Sequence, residues 1–92
     1  MMSSDEQVYV EIIQTLRTVC EQYRAQIISW STFRATMFEA KTSLGDLGGS
    51  SMRQLMIWAT DSLELLEFAL AGDELFEETL NVIAEIEARI WE

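Results

Sequence analysis

Ten of the sixteen carboxylates in this 92-residue chain fall between Asp61 and Glu92, a stretch in which Arg89 is the only base. Clustered carboxylates can ligate metal, perform general acid–base hydrolysis, or dock a cation-rich partner. A di-iron or di-manganese bundle uses inward Glu residues with Glu-x-x-His pairs, and the chain has no histidine. Hydrolysis needs two carboxylates facing each other across a cleft in unlike environments, whereas these acids recur on the outer faces of helical segments. Asp46 is followed by Leu47, Gly48 and Gly49, which offer only backbone carbonyls, so the EF-hand pattern is absent. The loop Gly45–Ser51 also lacks the Lys followed by Ser or Thr that a phosphate-cradling loop requires. The expectation is no enzyme, no metal and no cofactor, which leaves docking.

The charge is lopsided. Residues 1–60 hold six acids against five bases, so −9 of the net −10 lies in the last 32 residues. Such a field attracts a basic surface and repels nucleic acid and anionic lipid. With 49% hydrophobic residues the chain has ample material for a core, and its length fits one domain. One cysteine, Cys20, forms no internal disulfide, and with no histidine to activate it the residue reads as packing material. No secretory leader pattern opens the sequence and no apolar run approaches the roughly 20 residues of a membrane span, so the expected location is the cytoplasm.

The elements that must position these acids are helices. Apolar residues recur at steps of three and four, no hairpin dipeptide is present, and the chain has no proline. The spacing predicts an all-α, single-domain, antiparallel four-helix bundle with helices at about 5–27, 30–44, 51–71 and 73–91. Ser3 or Ser4 is expected to cap the first helix, whose inward stripe is Val8, Ile12, Leu16, Val19, Tyr23 and Ile27. Ser29 or Ser31 caps the second, which carries Trp30, Phe33, Met37, Ala40 and Leu44 inward. The third is apolar almost all round and is expected to be the most buried: Met52, Leu55, Met56, Ala59, Leu63, Leu66 and Leu70 form its main stripe, flanked by Ile57, Trp58, Leu65 and Phe68. Gly72 suits a left-handed helix end, and Asp73 is placed to cap a fourth helix with Leu75, Phe76, Leu80, Ile83, Ile86 and Ile90 inward.

So short a turn gathers Glu64, Glu67, Asp73, Glu74, Glu77 and Glu78 at one end of the hairpin. Good placement on the helix dipole accounts for the last four without a partner, but Glu64 and Glu67 stand near a helix C-terminus, where the dipole disfavours them. Together with Asp61 and Phe68 as flanking contacts, these residues form the candidate partner-binding set. Trp30 and Trp58 read either as core filling or as aromatic anchors beside the acids.

A family resemblance enters at the first two helices. From Leu16 to Leu44, an amphipathic helix, the turn Ala25-Gln26-Ile27-Ile28-Ser29 and a second helix carrying Phe33 resemble the opening of small bacterial immunity proteins of the colicin D immunity type. Members show a Gly-Lys-Ile-Ser-like turn with a phenylalanine four residues after the serine. Here Ile28, Ser29 and Phe33 match, while Ala25 and Gln26 stand near the places of the glycine and lysine. The resemblance covers about a third of the chain. It implies an antitoxin that fills the basic cleft of a cognate nuclease toxin, carboxylates replacing RNA phosphates. Two other readings share the same features: a phage-encoded nucleic-acid mimic such as an anti-CRISPR protein, and a homo-oligomeric scaffold using the apolar flank of the third helix.

Overall fold

The computed structural model describes residues 4–45, 47 and 49–91. Over these residues the chain forms four helices in sequence: α1 (Ser4–Arg24), α2 (Trp30–Leu44), α3 (Gly49–Ala69) and α4 (Gly72–Ile90). Overall extents of 45 × 24 × 23 Å correspond to a bundle two helices wide in each short direction, since one helix with side chains is about 10–12 Å across. Facing residues show each chain neighbour to be antiparallel. Tyr23 meets Phe33 across α1 and α2, Arg34 meets Glu64 and Glu67 across α2 and α3, and one groove is lined by Trp58, Leu65 and Leu66 of α3 together with Glu78, Asn81 and Glu85 of α4. The expected all-α four-helix bundle is the observed architecture.

Helix ends follow local chemistry, with three departures from expectation. α1 stops at Arg24 because the chain turns left-handed at Gln26 (φ 62°). The Gln26 N–H donates to the Tyr23 carbonyl at 2.9 Å and the Ile27 N–H to the Gln22 carbonyl at 2.9 Å, the paired bonds of a Schellman ending. Ile27, expected on the inward stripe, therefore lies past the turn and is 72% exposed, and Val8 near the other end of α1 is also exposed. Ser29 caps α2 as expected, its Oγ accepting from the Thr32 N–H at 3.1 Å. α3 starts at Gly49 and ends at Ala69, two residues ahead of the predicted span at each end. Gly72 is left-handed as expected (φ 60°), but Ala71 occupies the N-cap position and makes no side-chain cap bond. Asp73 lies inside the first turn and acts through its charge on the dipole, not as a cap. Ser4 is the first helical residue of α1, while Ser3, Asp46 and Gly48 lie outside the described residues.

All four helices contribute to the core: Leu16 and Cys20, Phe33 and Met37, Met56 and Leu63, Ile83 and Ile86 are each 1% exposed or less. In α4 the inward face also includes Val82 and Thr79, which the apolar pattern had not marked, whereas Leu75, Phe76, Leu80 and Ile90 are half-buried. Thr79 Oγ1 accepts from Trp30 Nε1 at 3.1 Å and donates to the Leu75 carbonyl at 2.6 Å, so the buried hydroxyl is satisfied on both sides. Around it Tyr23 stacks on Phe33 at 4.9 Å and lies 5.4 Å from Phe76.

A side chain in the left-handed region is disfavoured by roughly 1–2 kcal/mol, and glycine relieves this at some cost in unfolded-chain entropy. Gln26→Gly should stabilise the protein by about 0.5–1 kcal/mol, seen as a higher urea midpoint with an unchanged slope.

Candidate protein-docking surface

The eight residues marked in the sequence divide into three groups. Glu64 and Glu67 face α2, where Arg34 Nη2 is 3.5 Å from Glu64 Oε1 and Arg34 Nε is 3.8 Å from Glu67 Oε2. The dipole's unfavourable effect on these two acids is therefore offset within the fold by a base on the neighbouring helix. Arg34 Nε is buried without a hydrogen-bond partner, and the Glu67 oxygen is within ionic reach only. The second group, Asp73, Glu74, Glu77 and Glu78, occupies the first two turns of α4 and is exposed. Glu78 accepts from Asn81 Nδ2 at 3.4 Å. Asp73, Glu74 and Glu77 make no ion pair or side-chain hydrogen bond among the described residues. The third group, Asp61 and Phe68, lies on the outward face of α3, with Phe68 90% exposed.

That face of α3 carries more than the sequence marked. Ile57, Trp58, Leu65 and Phe68 are four of the eight large hydrophobic residues exposed across the described chain, and Leu65 is 70% exposed. α3 holds the longest set of buried residues of the four helices and also the largest exposed apolar set, so the expectation that it is the most buried is met on one side only. Trp58, Asp61, Leu65 and Phe68 follow at steps of three and four and share one face for three turns, about 15 Å. Beside them a groove of about 380 Å³ runs between α3 and α4. Leu66 and Val82 form its less exposed side, Trp58 and Leu65 its outer apolar wall, and Ser62, Glu78, Asn81 and Glu85 complete the lining. Glu85, Asn81 and Leu65 were absent from the predicted set. Leu65 had a legible signal, since it falls one heptad after Trp58 and off the main stripe. Glu85 had none, because only the antiparallel register brings it opposite Trp58.

The two tryptophans separate. Trp30 is half-buried with its indole N–H on Thr79, whereas Trp58 is 41% exposed at the groove. Cys20 is fully buried, and burial first, then the nearby Glu87, pushes its thiol from 9.0 up to about 12, against the opposing influence of Arg24. It therefore packs the core as an un-ionised thiol. No group of three or more His, Cys, Asp or Glu side chains able to hold a metal occurs among the described residues, and no helix there is long and apolar enough to cross a membrane.

No protein-family model, curated protein or solved structure matches this chain.

Arg34 joins two helices, whereas Arg17 pairs with Glu21 at 3.5 Å within one helix. Both pairs are substantially exposed, which limits what either contributes. Arg34→Ala should cost about 1 kcal/mol, because it also leaves Glu64 and Glu67 together without a base, and Arg17→Ala roughly 0.3 kcal/mol, both measured by urea unfolding. The Cys20 thiol gives a pH dependence of known sign. Its folded pKa lies above the unfolded value, so its contribution is complete below pH 9 and is lost as the pH rises towards 12. Burial raises Tyr23 in the same sense. Cys20→Ala should flatten the alkaline fall in stability without abolishing it, as read from unfolding midpoints across that range.

Proposed function

We propose that this protein is an inhibitor of the immunity or antitoxin class, which neutralises a basic nuclease by occupying its nucleic-acid-binding cleft with the acidic α3–α4 hairpin. The observation that carries this reading is the set of acids the fold leaves open. Asp61, Asp73, Glu74 and Glu77 stay exposed and uncompensated beside an exposed Phe68, although Arg34 is within reach of other acids on the same hairpin. A cleft that binds phosphates through Lys and Arg presents the complementary field, and carboxylates fixed on helices can stand in for phosphates without being cleaved. The dipole at the start of α4 holds Asp73 and Glu74 in place, so the like-charge repulsion they suffer is partly offset before any partner arrives. Glu64 and Glu67 take a different part from the one their spacing suggested: with Arg34 they fasten α2 to α3.

The docking set is accordingly Asp61, Phe68, Asp73, Glu74, Glu77 and Glu78. Resemblance of the first two helices to colicin D-type immunity proteins agrees with this reading, as does the sign of the charge. Electrostatic docking of this kind raises the association rate and weakens with salt.

The test combines recovery of a partner with an activity. Tagged wild type is passed over native lysate at low and high salt beside the variant Asp61→Asn, Asp73→Asn, Glu74→Gln, Glu77→Gln. The expected result is one basic nuclease, recovered at low salt, lost with the variant, and blocked in RNA or DNA cleavage by added wild type. Partners indifferent to the four changes, or a nuclease whose cleavage continues at full rate, would sink the proposal. Glu64→Gln with Glu67→Gln serves as the control and should leave recovery nearly unchanged.

A further inference from the structure

We infer that the groove between α3 and α4 seats a basic amphipathic helix of the partner protein, with its apolar face against Trp58 and Leu65 and its cations against Glu78 and Asp61. This rests on the reading that the hairpin docks a basic protein, and it adds the form of the contact. The groove holds about 380 Å³, and the exposed face beside it continues through Phe68 for about three helical turns. An amphipathic helix engages such a groove through anchors at steps of three, four and seven residues, and the wall from Trp58 to Leu65 to Phe68 repeats on that scale. Each flank offers an acid: Glu78 lies on the α4 side and Asp61 on α3. Arg89 is held by Glu85 at 2.8 Å, which leaves Glu78 and Asp61 as the rim acids open to a cation.

Charge selects among the possible occupants. A second copy of this chain would bring two hairpins of the same strong negative charge together over their apolar faces. An anionic lipid surface and a nucleic acid are repelled for the same reason. A helix carrying Lys or Arg on either side of a Leu-rich stripe matches both the groove and its rims.

The probes are two synthetic peptides of leucine and lysine, each of about 18 residues or five helical turns. One has its leucines at helical spacing along one face, and the other has the same composition with leucines spread round the helix. Binding to the full chain is read by fluorescence anisotropy at low salt. The patterned peptide should bind roughly tenfold or more tightly than the rearranged one, the scale of one well-packed anchor. Leu65→Glu should weaken the patterned peptide by a similar factor even though it adds a negative charge, and Trp58→Ala should act in the same direction. Because Leu65 is 70% exposed, the fold should survive the change, with unaltered helical circular dichroism as the check. Equal affinity for the two peptides, or tighter binding to Leu65→Glu, would show charge acting alone: the groove inference falls and acidic docking stands. If neither peptide binds at low salt, both are overturned. A wild-type dimer in analytical ultracentrifugation that Leu65→Glu dissolves would identify the occupant as a second copy and also overturn the inference.

Discussion

The Trp30–Thr79 hydrogen bond lies where three helices must agree. Thr79 is completely buried on α4, and its hydroxyl links the indole at the start of α2 to the Leu75 carbonyl one turn back along α4. Tyr23, near the end of α1, packs against both Phe33 and Phe76 at the same end of the bundle. A satisfied hydrogen bond of this kind contributes only about 1 kcal/mol net, but leaving a buried hydroxyl or indole N–H unpaired costs about 1–3 kcal/mol. The larger consequence is register. Sliding α4 by one residue would rotate Thr79 off the Trp30 indole and move Phe76 off Tyr23. The first turn of α4, which presents Asp73 and Glu74, is thereby held at a fixed height against the α1–α2 turn.

Placing the acids is a separate problem from folding the chain. The core is neutral, so the stability of the bundle comes from apolar burial, while the charge of the last 32 residues works against compactness. Two connections between helices and one within a helix offset part of that repulsion. Arg24 holds Glu87, Arg34 lies between Glu64 and Glu67, and Arg89 holds Glu85 within α4. The compensated acids lie along the helix seams or within a helix, and the uncompensated ones lie on the outer face of α3 and at the start of α4. Arg24 and Arg34 are thus spent on acids between packed helices, and among the described residues from Asp61 onward the open acids are confined to the outer face of α3 and the start of α4.

Most of the architecture was legible in the sequence because its signals are local. Four helices followed from periodicity, the α2 cap from Ser29, and the left-handed residue between α3 and α4 from Gly72. What escaped depends on tertiary pairing. Gln26 adopts a left-handed conformation normally signalled by glycine or asparagine, so the sequence carries no mark of the end of α1 and its periodicity runs on through Ile27. Thr79 gives no apolar signal, although a hydroxyl that can bond back to a carbonyl four residues earlier is readily accommodated inside a helical core. Within the site the carboxylates were found as types, but their roles were not separable. Only the α2–α3 register reveals that Arg34 reaches Glu64 and Glu67, and only the α3–α4 register brings Glu85 opposite Trp58.

An exposed apolar face as large as that of α3 is normally a liability to a small chain, because copies bury it against one another. Here the remedy is built into its surroundings. Asp61 interrupts the face, Glu78 and Glu85 flank the groove, and Asp73, Glu74 and Glu77 cover the adjoining end. Self-association over Trp58 and Leu65 would bring these acids together in a partly desolvated interface, where like charges juxtaposed cost several kcal/mol. The same arrangement is favourable against cations, since the repulsion within the rim is relieved when a base enters it. In the proposed complex the apolar face would supply contact area and the acids the sign of the partner. On that proposal the two tasks are divided between neighbouring residues, and the acids oppose self-association of the face while it stays exposed.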